Sequence, residues 1–263
     1  MPSTYAHYTF GQEVKRHLKG DIEKIIAENI ALYNIGLHGP DILFYYKPLS
    51  SNPINKAGNE LHEKNADIFL NNGKKVVKGY FNTNAALSYL FGFICHFMLD
   101  GECHPYIEKK MEISNISHSE IEVEFDRALM EKDGLEPLSF KPTGHIVSSR
   151  EYAKTIAFFF PEISENEIVE SLKSMKFYLN LLVVPSKLKR ILLIAALKVS
   201  GNYHKMSGLL MKHEPIAECK DSNIVLEKLY SNSVIPTVDL IMEFYQDFSK
   251  EGSLNQRFLR NFL

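Results

Sequence analysis

The chain has 263 residues, 45% of them hydrophobic, and a formal net charge of −2. That length can bury a sizeable core as one large domain or two small ones, and the near-neutral charge gives no overall attraction to polyanions. Cys95, Cys103 and Cys219 are too few, and odd in number, for a disulfide framework, and no apolar run reaches the about 18 residues a membrane-spanning helix needs.

The opening residues, Met1-Pro2-Ser3-Thr4-Tyr5-Ala6-His7, lack the basic start and apolar run of a secretory signal, so a cytoplasmic protein is expected. Taken alone, His7 reads as an exposed residue near a frayed terminus. From about Gln12 to Asn34, Ile22, Ile25, Ile26, Ile30 and Leu32 recur near the helical period and predict one or two helices, broken at Gly20 with Asp21 as N-cap. Leu37-His38-Gly39-Pro40-Asp41 follows as a turn able to aim a carboxylate inward, and the apolar, aromatic stretch Ile42 to Tyr46 could line a substrate pocket. Lys47 to Asn59 reads as a loop. A helix from about Asn59 to Asn72 carries His62 in its first turns and stops at Asn71-Asn72-Gly73.

Asn84 to Leu99 is the most apolar stretch and predicts a buried central helix, loosened or ended near His104 by Gly101 and Pro105. His96, Asp100 and His104 follow one another at intervals of four, which stacks them on one helical face. His118 and Glu122 repeat the spacing on the next predicted helix, Ser117 to Lys132, which ends at Asp133-Gly134. A lone histidine beside apolar residues is ordinarily a core residue. Two i,i+4 pairs joined by a third histidine, set against apolar runs, are a different pattern, because a buried carboxylate needs a cation or hydrogen bonds. Imidazole and carboxylate without thiolate suit zinc, and zinc held with an open position is catalytic. Cys95 and Cys103 flank these ligands without forming a CxxC pair; they read as buried thiols, with Cys103 an alternative ligand. Asp126 continues the face of Glu122 and reads either as a group behind the ligands or as an exposed residue.

The run His96-Phe97-Met98-Leu99-Asp100, then His104, then His118-Ser119-Glu120-Ile121-Glu122 resembles the signature of the zinc-dependent phospholipase C family, which shares its fold with the S1/P1-type nucleases. The resemblance covers roughly residues 1–130. It implies an all-α, single compact multi-helix domain over residues 1–263, with the metal site built from 1–130 and a helical remainder from 145 to 263. It also implies ligands upstream of the motif: His7, Asp41 and His62. By that resemblance Asp41, His62, His96 and Asp100 hold one zinc, with Asp41 also able to act as the catalytic base. Asp100 bridges to a second zinc shared with His7 and the N-terminal amine, and His104, His118 and Glu122 hold a further one, giving two or three ions. In the family the amine belongs to an N-terminal tryptophan. This chain has no tryptophan, so Pro2, after loss of Met1, would have to supply it. His38 has no counterpart and reads as structural or as a residue behind the ligands.

Beyond a linker at Leu135 to Thr143 the pattern stays helical, at about 148–160, 164–183, 186–199, 203–213, 222–231 and 235–249, with almost no sustained alternation of the kind strands need. His145, His204 and His213 read as ordinary residues. From Ser171 to His213 the chain carries Lys173, Lys176, Lys187, Lys189, Arg190, Lys198, Lys205 and Lys212 and no acid. These read either as solvated helix faces or as a surface for peripheral contact with anionic lipid or nucleic acid. Leu188 to Leu197 is apolar enough to be amphipathic, and core packing explains it equally well.

The chemistry expected is hydrolysis of a phosphodiester, with zinc lowering the pKa of a bound water towards about 7. Phospholipid is the first substrate class and a nuclease or other phosphoesterase activity the second. A zinc-binding helical protein with little catalysis is the reading outside enzymes. Oligomeric state is left open.

Overall fold

The computed structural model describes residues 4–248 and 254–263, and among them it is α-helical without a strand. The helices are α1 Thr4–His17, α2 Asp21–Glu28, α3 Ile30–Gly36, α4 Pro53–Glu63, α5 Ala66–Gly79, α6 Thr83–Ile113, α7 His118–Lys132, α8 Arg150–Ala157, α9 Glu165–Leu181, α10 Lys187–Val199, α11 Tyr203–Met206 and α12 Lys220–Asp247. Short 3-10 segments include Gly39–Tyr45, between α3 and α4, and Gln256–Leu259 near the end of the chain.

Helix α6 is the axis. It buries nearly every residue from Ala85 to Gly101, as a helix that is apolar all round must. Helices α3 and α12 make its most extensive contacts, and α1, α2, α5, α7 and α8 pack around it as well. The approach of α3 is set by two glycines. A Cβ on Gly36 would lie 2.2 Å from the Tyr89 carbonyl oxygen, and a Cβ on Gly92 would lie 2.2 Å from that of Tyr33. Only hydrogen at both positions lets the backbones come this close. The crossing delivers the 3-10 segment that follows α3 to the middle of α6.

Several boundaries differ from those predicted. Helix α6 runs straight through Gly101 and Pro105. Proline at 105 removes the amide that would bond the Gly101 carbonyl, and Arg260 Nη1 approaches that oxygen at 3.5 Å instead. Asn71-Asn72-Gly73 does not stop a helix. Gly73 is buried in the middle of α5, where a side chain would meet Leu90. Helix α4 begins six residues before Asn59, with Pro53 in its first turn and the Asn52 side chain accepting from the Ile54 and Asn55 amides, so His62 sits in its last turn. Gly20, at φ +70°, is the residue preceding α2, and Asp21 is already helical. The separate helices expected at 222–231 and 235–249 are one helix, α12, with Pro236 inside it.

Candidate metal centre

His7 is not frayed. It lies in the second turn of α1 and is buried. The reason is Asp126, on α7, whose two carboxylate oxygens accept from the backbone amides of Tyr5 at 3.0 Å and Ala6 at 2.7 Å. These are first-turn amides of α1, which have no partner inside the helix, and a carboxylate is the group that best satisfies that positive end. Asp126 is therefore neither exposed nor spare. Tyr5 adds a second tie through its hydroxyl, which donates to Asp133 at 2.6 Å. Residues 1–3, and with them the predicted amine ligand, lie outside the described residues.

Asp41 and His62 arrive from the other side. Gly39 has φ +45°, and a Cβ there would stand 2.3 Å from the His96 ring, so the turn before Asp41 requires glycine for conformation and for space. His62 Nδ1 donates to the Gly58 carbonyl one turn earlier, at 2.8 Å, and its Nε2 stands 3.1 Å from Asp41 Oδ1. Helix α6 supplies His96, Asp100 and His104, and α7 supplies His118 and Glu122 behind an N-terminus capped by Ser117 and Glu120.

All eight residues predicted from the sequence and the resemblance converge. Their ligand-type atoms fall into three groups, each within 4.8 Å: His7, His96 and Asp100; Asp41, His62 and His96; and His104, His118 and Glu122. Asp100 ties the groups together. Its Oδ1 lies 3.1 Å from His7 Nε2 and 3.7 Å from His104 Nε2, while its Oδ2 lies 3.0 Å from His96 Nε2 and 3.9 Å from His62 Nε2. Glu122 Oε1 stands 2.9 Å from His118 Nε2 and 3.6 Å from His104 Nε2. Cys103 is buried and belongs to none of these groups.

Two features distinguish this cluster from a hydrogen-bonded network. First, three histidines turn Nδ1 towards a backbone carbonyl, His62 to Gly58, His96 to Leu37 at 3.3 Å and His104 to Phe262 at 2.7 Å. That turns each Nε2 towards the carboxylates and sets the ring orientation. Second, His96 Nε2, Asp100 Oδ2, Asp41 Oδ1 and Glu122 Oε2 are buried without a hydrogen-bond partner. His96 Nε2 and Asp100 Oδ2 are 3.0 Å apart and still not aligned with each other. Buried ligand-type atoms gathered in such groups and left without hydrogen-bond partners are what cations would satisfy. The donor set, histidine nitrogen with carboxylate oxygen and no sulfur, suits zinc.

The electrostatics agree. Burial alone would keep Asp100 protonated, but His96, His104 and His7 hold its carboxyl well below the usual range. Burial opposes charge on His104 too, and Asp100 with Glu122 outweighs it, raising its pKa to about 9. Glu122 is lowered by His118 and His104 against the same burial. Burial lowers His7, with His96 adding to the effect.

Sequence reasoning missed a neighbouring pair. His38 Nε2 lies 2.7 Å from His145 Nε2, and the His145 ring stacks on Tyr8 at 4.0 Å. Burial pushes His38 well below the ordinary histidine range and His145 to about 3, so both are neutral, one donating and one accepting. The two are 107 residues apart, so no local pattern could have joined them. Phe262 was missed for the same reason. Its ring lies against His62, His96 and Phe97, and its carbonyl orients His104.

A cleft of about 440 Å³ opens beside the centre, lined among others by Phe44, Tyr45, Asn59, Ser119 and Tyr178. Phe44 stacks on His62 at 5.3 Å and Ser119 follows His118, so residues neighbouring two of the ligands line the cleft. The aromatic stretch expected at Ile42 to Tyr46 does line it in part.

Compared with known proteins, residues 6–178 match the family described as zinc dependent phospholipase C. The match contains all eight converging residues and extends well past the 1–130 over which the motif was legible. No curated protein and no solved structure matches the chain.

Proposed function

We propose that this chain, which belongs to the zinc dependent phospholipase C family, hydrolyses a phosphodiester, with phospholipid as the substrate class. The observation that carries the reading is the set of three ligand groups joined through His96 and Asp100, with buried ligand-type atoms among them that have no hydrogen-bond partner. Asp41, His62, His96 and Asp100 would hold one zinc, Asp100 with His7 a second, and His104, His118 and Glu122 a third. Bound zinc would supply a water acidic enough to act at neutral pH and positive charge against the phosphate oxygens.

The protein's own part is positioning and proton handling. Asp41 is fixed by the Gly39 turn and approached by a histidine on one oxygen only, which leaves it able to accept a proton from the attacking water. The burial of these carboxylates and imidazoles keeps the centre dry on its inner side, which strengthens every charge interaction made there. The cleft beside Phe44 and Tyr45 gives a head group an aromatic wall, and no side-chain nucleophile is required.

The deciding experiment measures zinc per chain on protein purified without chelators, followed by hydrolysis of a water-soluble phosphodiester. Replacing Asp41 by Asn is expected to lower turnover by about 100-fold or more, the scale of a lost general base, with the fold retained. Metal-free protein after zinc supply would overturn the reading. Full zinc with no hydrolysis of phospholipid, nucleic acid or soluble ester would leave a zinc-stabilised helical protein instead.

A further inference from the structure

Helix α10 is apolar in sequence, and the sequence admitted core packing as its explanation. Only one of its residues, Leu197, is buried. Leu188, Ile191, Leu192 and Val199 are 67%, 63%, 62% and 92% exposed. At 100° per residue these four, with Ala195, form one stripe on the side opposite Leu197. The helix thus packs one apolar face on a small cluster with Val184 and Leu210 and shows a second apolar face to the outside.

Charge frames that outer stripe. Lys187 and Lys198 lie along one edge and Lys189 along the other, all exposed. The first turn of α10 holds Lys187, Lys189 and Arg190 with no acid, and the Ser186 side chain makes no cap bond, so positive side chains sit at the positive end of the helix dipole. Between residues 171 and 213 the chain has no Asp or Glu to offset them. Some cations of the region are used internally. Arg190 donates to the Met211 and Leu210 carbonyls and Lys212 pairs with Glu120. Lys187 and Lys189 have no such partner among the described residues.

We infer that α10 lies flat on an anionic phospholipid surface, its Leu188, Ile191, Leu192 and Val199 stripe entering the head-group layer and its lysines pairing with lipid phosphates. An apolar stripe rimmed by lysine is the pattern of an interfacial helix, and at 13 residues α10 is too short to span. A nucleic acid would use the lysines and leave the stripe wet. The choice of lipid over an apolar protein partner rests on the phospholipid reading above. Arg190 and Ile194, on the packed side of α10 away from the stripe, line a hollow that shares Ser119 with the cleft beside the metal centre.

The test is sedimentation of the full zinc-loaded chain with vesicles of phosphatidylcholine alone or with about one third phosphatidylglycerol. Hydrolysis of a soluble phosphodiester is followed in parallel. Binding is expected to be at least about tenfold tighter to the anionic vesicles. The triple variant Leu188→Ser, Ile191→Ser, Leu192→Ser should bind about a hundredfold more weakly, with unchanged melting temperature and soluble-ester hydrolysis. The pair Lys187→Gln, Lys189→Gln should lose roughly twentyfold on anionic vesicles and little on neutral ones. The inference is overturned if the wild type binds neither vesicle, or if the triple variant binds as the wild type does. It is also overturned if the wild type is a dimer that the triple variant dissociates while neither binds vesicles, because a second copy then covers the stripe. Failure here with soluble-ester hydrolysis intact leaves the proposed activity standing, whereas vesicle binding without any hydrolysis supports the surface and removes the activity.

Discussion

Asp126 ligates nothing in the centre, and the structure makes it responsible for one of the ligands. Its carboxylate is buried at 7% exposure and holds two first-turn amides of α1, the helix that presents His7. Bonds from neutral donors to a charged acceptor are worth about 1.5–3 kcal/mol each, and an N-terminal cap about 1 kcal/mol in a typical helix. Asp126→Asn keeps the shape and one acceptor oxygen, but turns an amino group towards the second amide and removes the charge that suits the helix terminus. The expected loss is about 2–3 kcal/mol, or about 5–10 °C in melting temperature for a chain of this size. Because α1 would no longer be fixed, zinc held through His7 should weaken by about 10–100-fold, the usual effect of losing a group behind a ligand. Denaturant unfolding of the metal-free protein measures the first effect. Titration with a zinc indicator measures the second. A variant within about 0.5 kcal/mol of the wild type that retains its full zinc content would refute the reasoning, since it would show that α1 is placed without this carboxylate.

The remaining predictions probe other parts of the same centre. Gly39→Ala, with φ +45° and a Cβ placed 2.3 Å from the His96 ring, should cost about 2–4 kcal/mol and reduce zinc content, seen by calorimetry with elemental analysis. Ser117→Ala removes half of the capping box before His118 and should cost about 1 kcal/mol, with weaker zinc retention at the His104, His118 and Glu122 group. In metal-free protein, His104 has its pKa raised to about 9, so the stability it contributes is complete below about 6.5 and is lost as pH rises towards 9. A fall of up to about 3 kcal/mol between pH 6.5 and 9 is therefore expected after chelation, while the zinc-loaded protein, whose histidine ligands are already neutral, should not show it. Identical pH profiles with and without metal would count against the ligand assignment.

The parts of the centre that were legible beforehand are those set by local geometry. His96, Asp100 and His104 share a face because a helix repeats every 3.6 residues, and His118 with Glu122 repeats the device, so their spacing alone implied convergence. Asp41, His62 and His7 carried no such spacing and came from the resemblance. The helix boundaries that misled were those marked by glycine, asparagine and proline. Pro105 inside α6 and Gly73 inside α5 are tolerated because Arg260 approaches the freed carbonyl and Leu90 fills the space over the glycine, and both compensations come from elsewhere in the chain. What was not legible is what orients the ligands. Asp126 on the α1 amides and the Phe262 carbonyl on His104 span 120 and 158 residues, and the neighbouring pair His38 with His145 spans 107. Asp126 had left one signal, its i+4 position after Glu122, which put it on the ligand face of α7. That position suits its role. One face of α7 sends Glu122 to the cluster and Asp126 to the helix carrying His7, so the two ends of the centre are held by a single turn, and a change that tilts α7 should disturb zinc at both ends together.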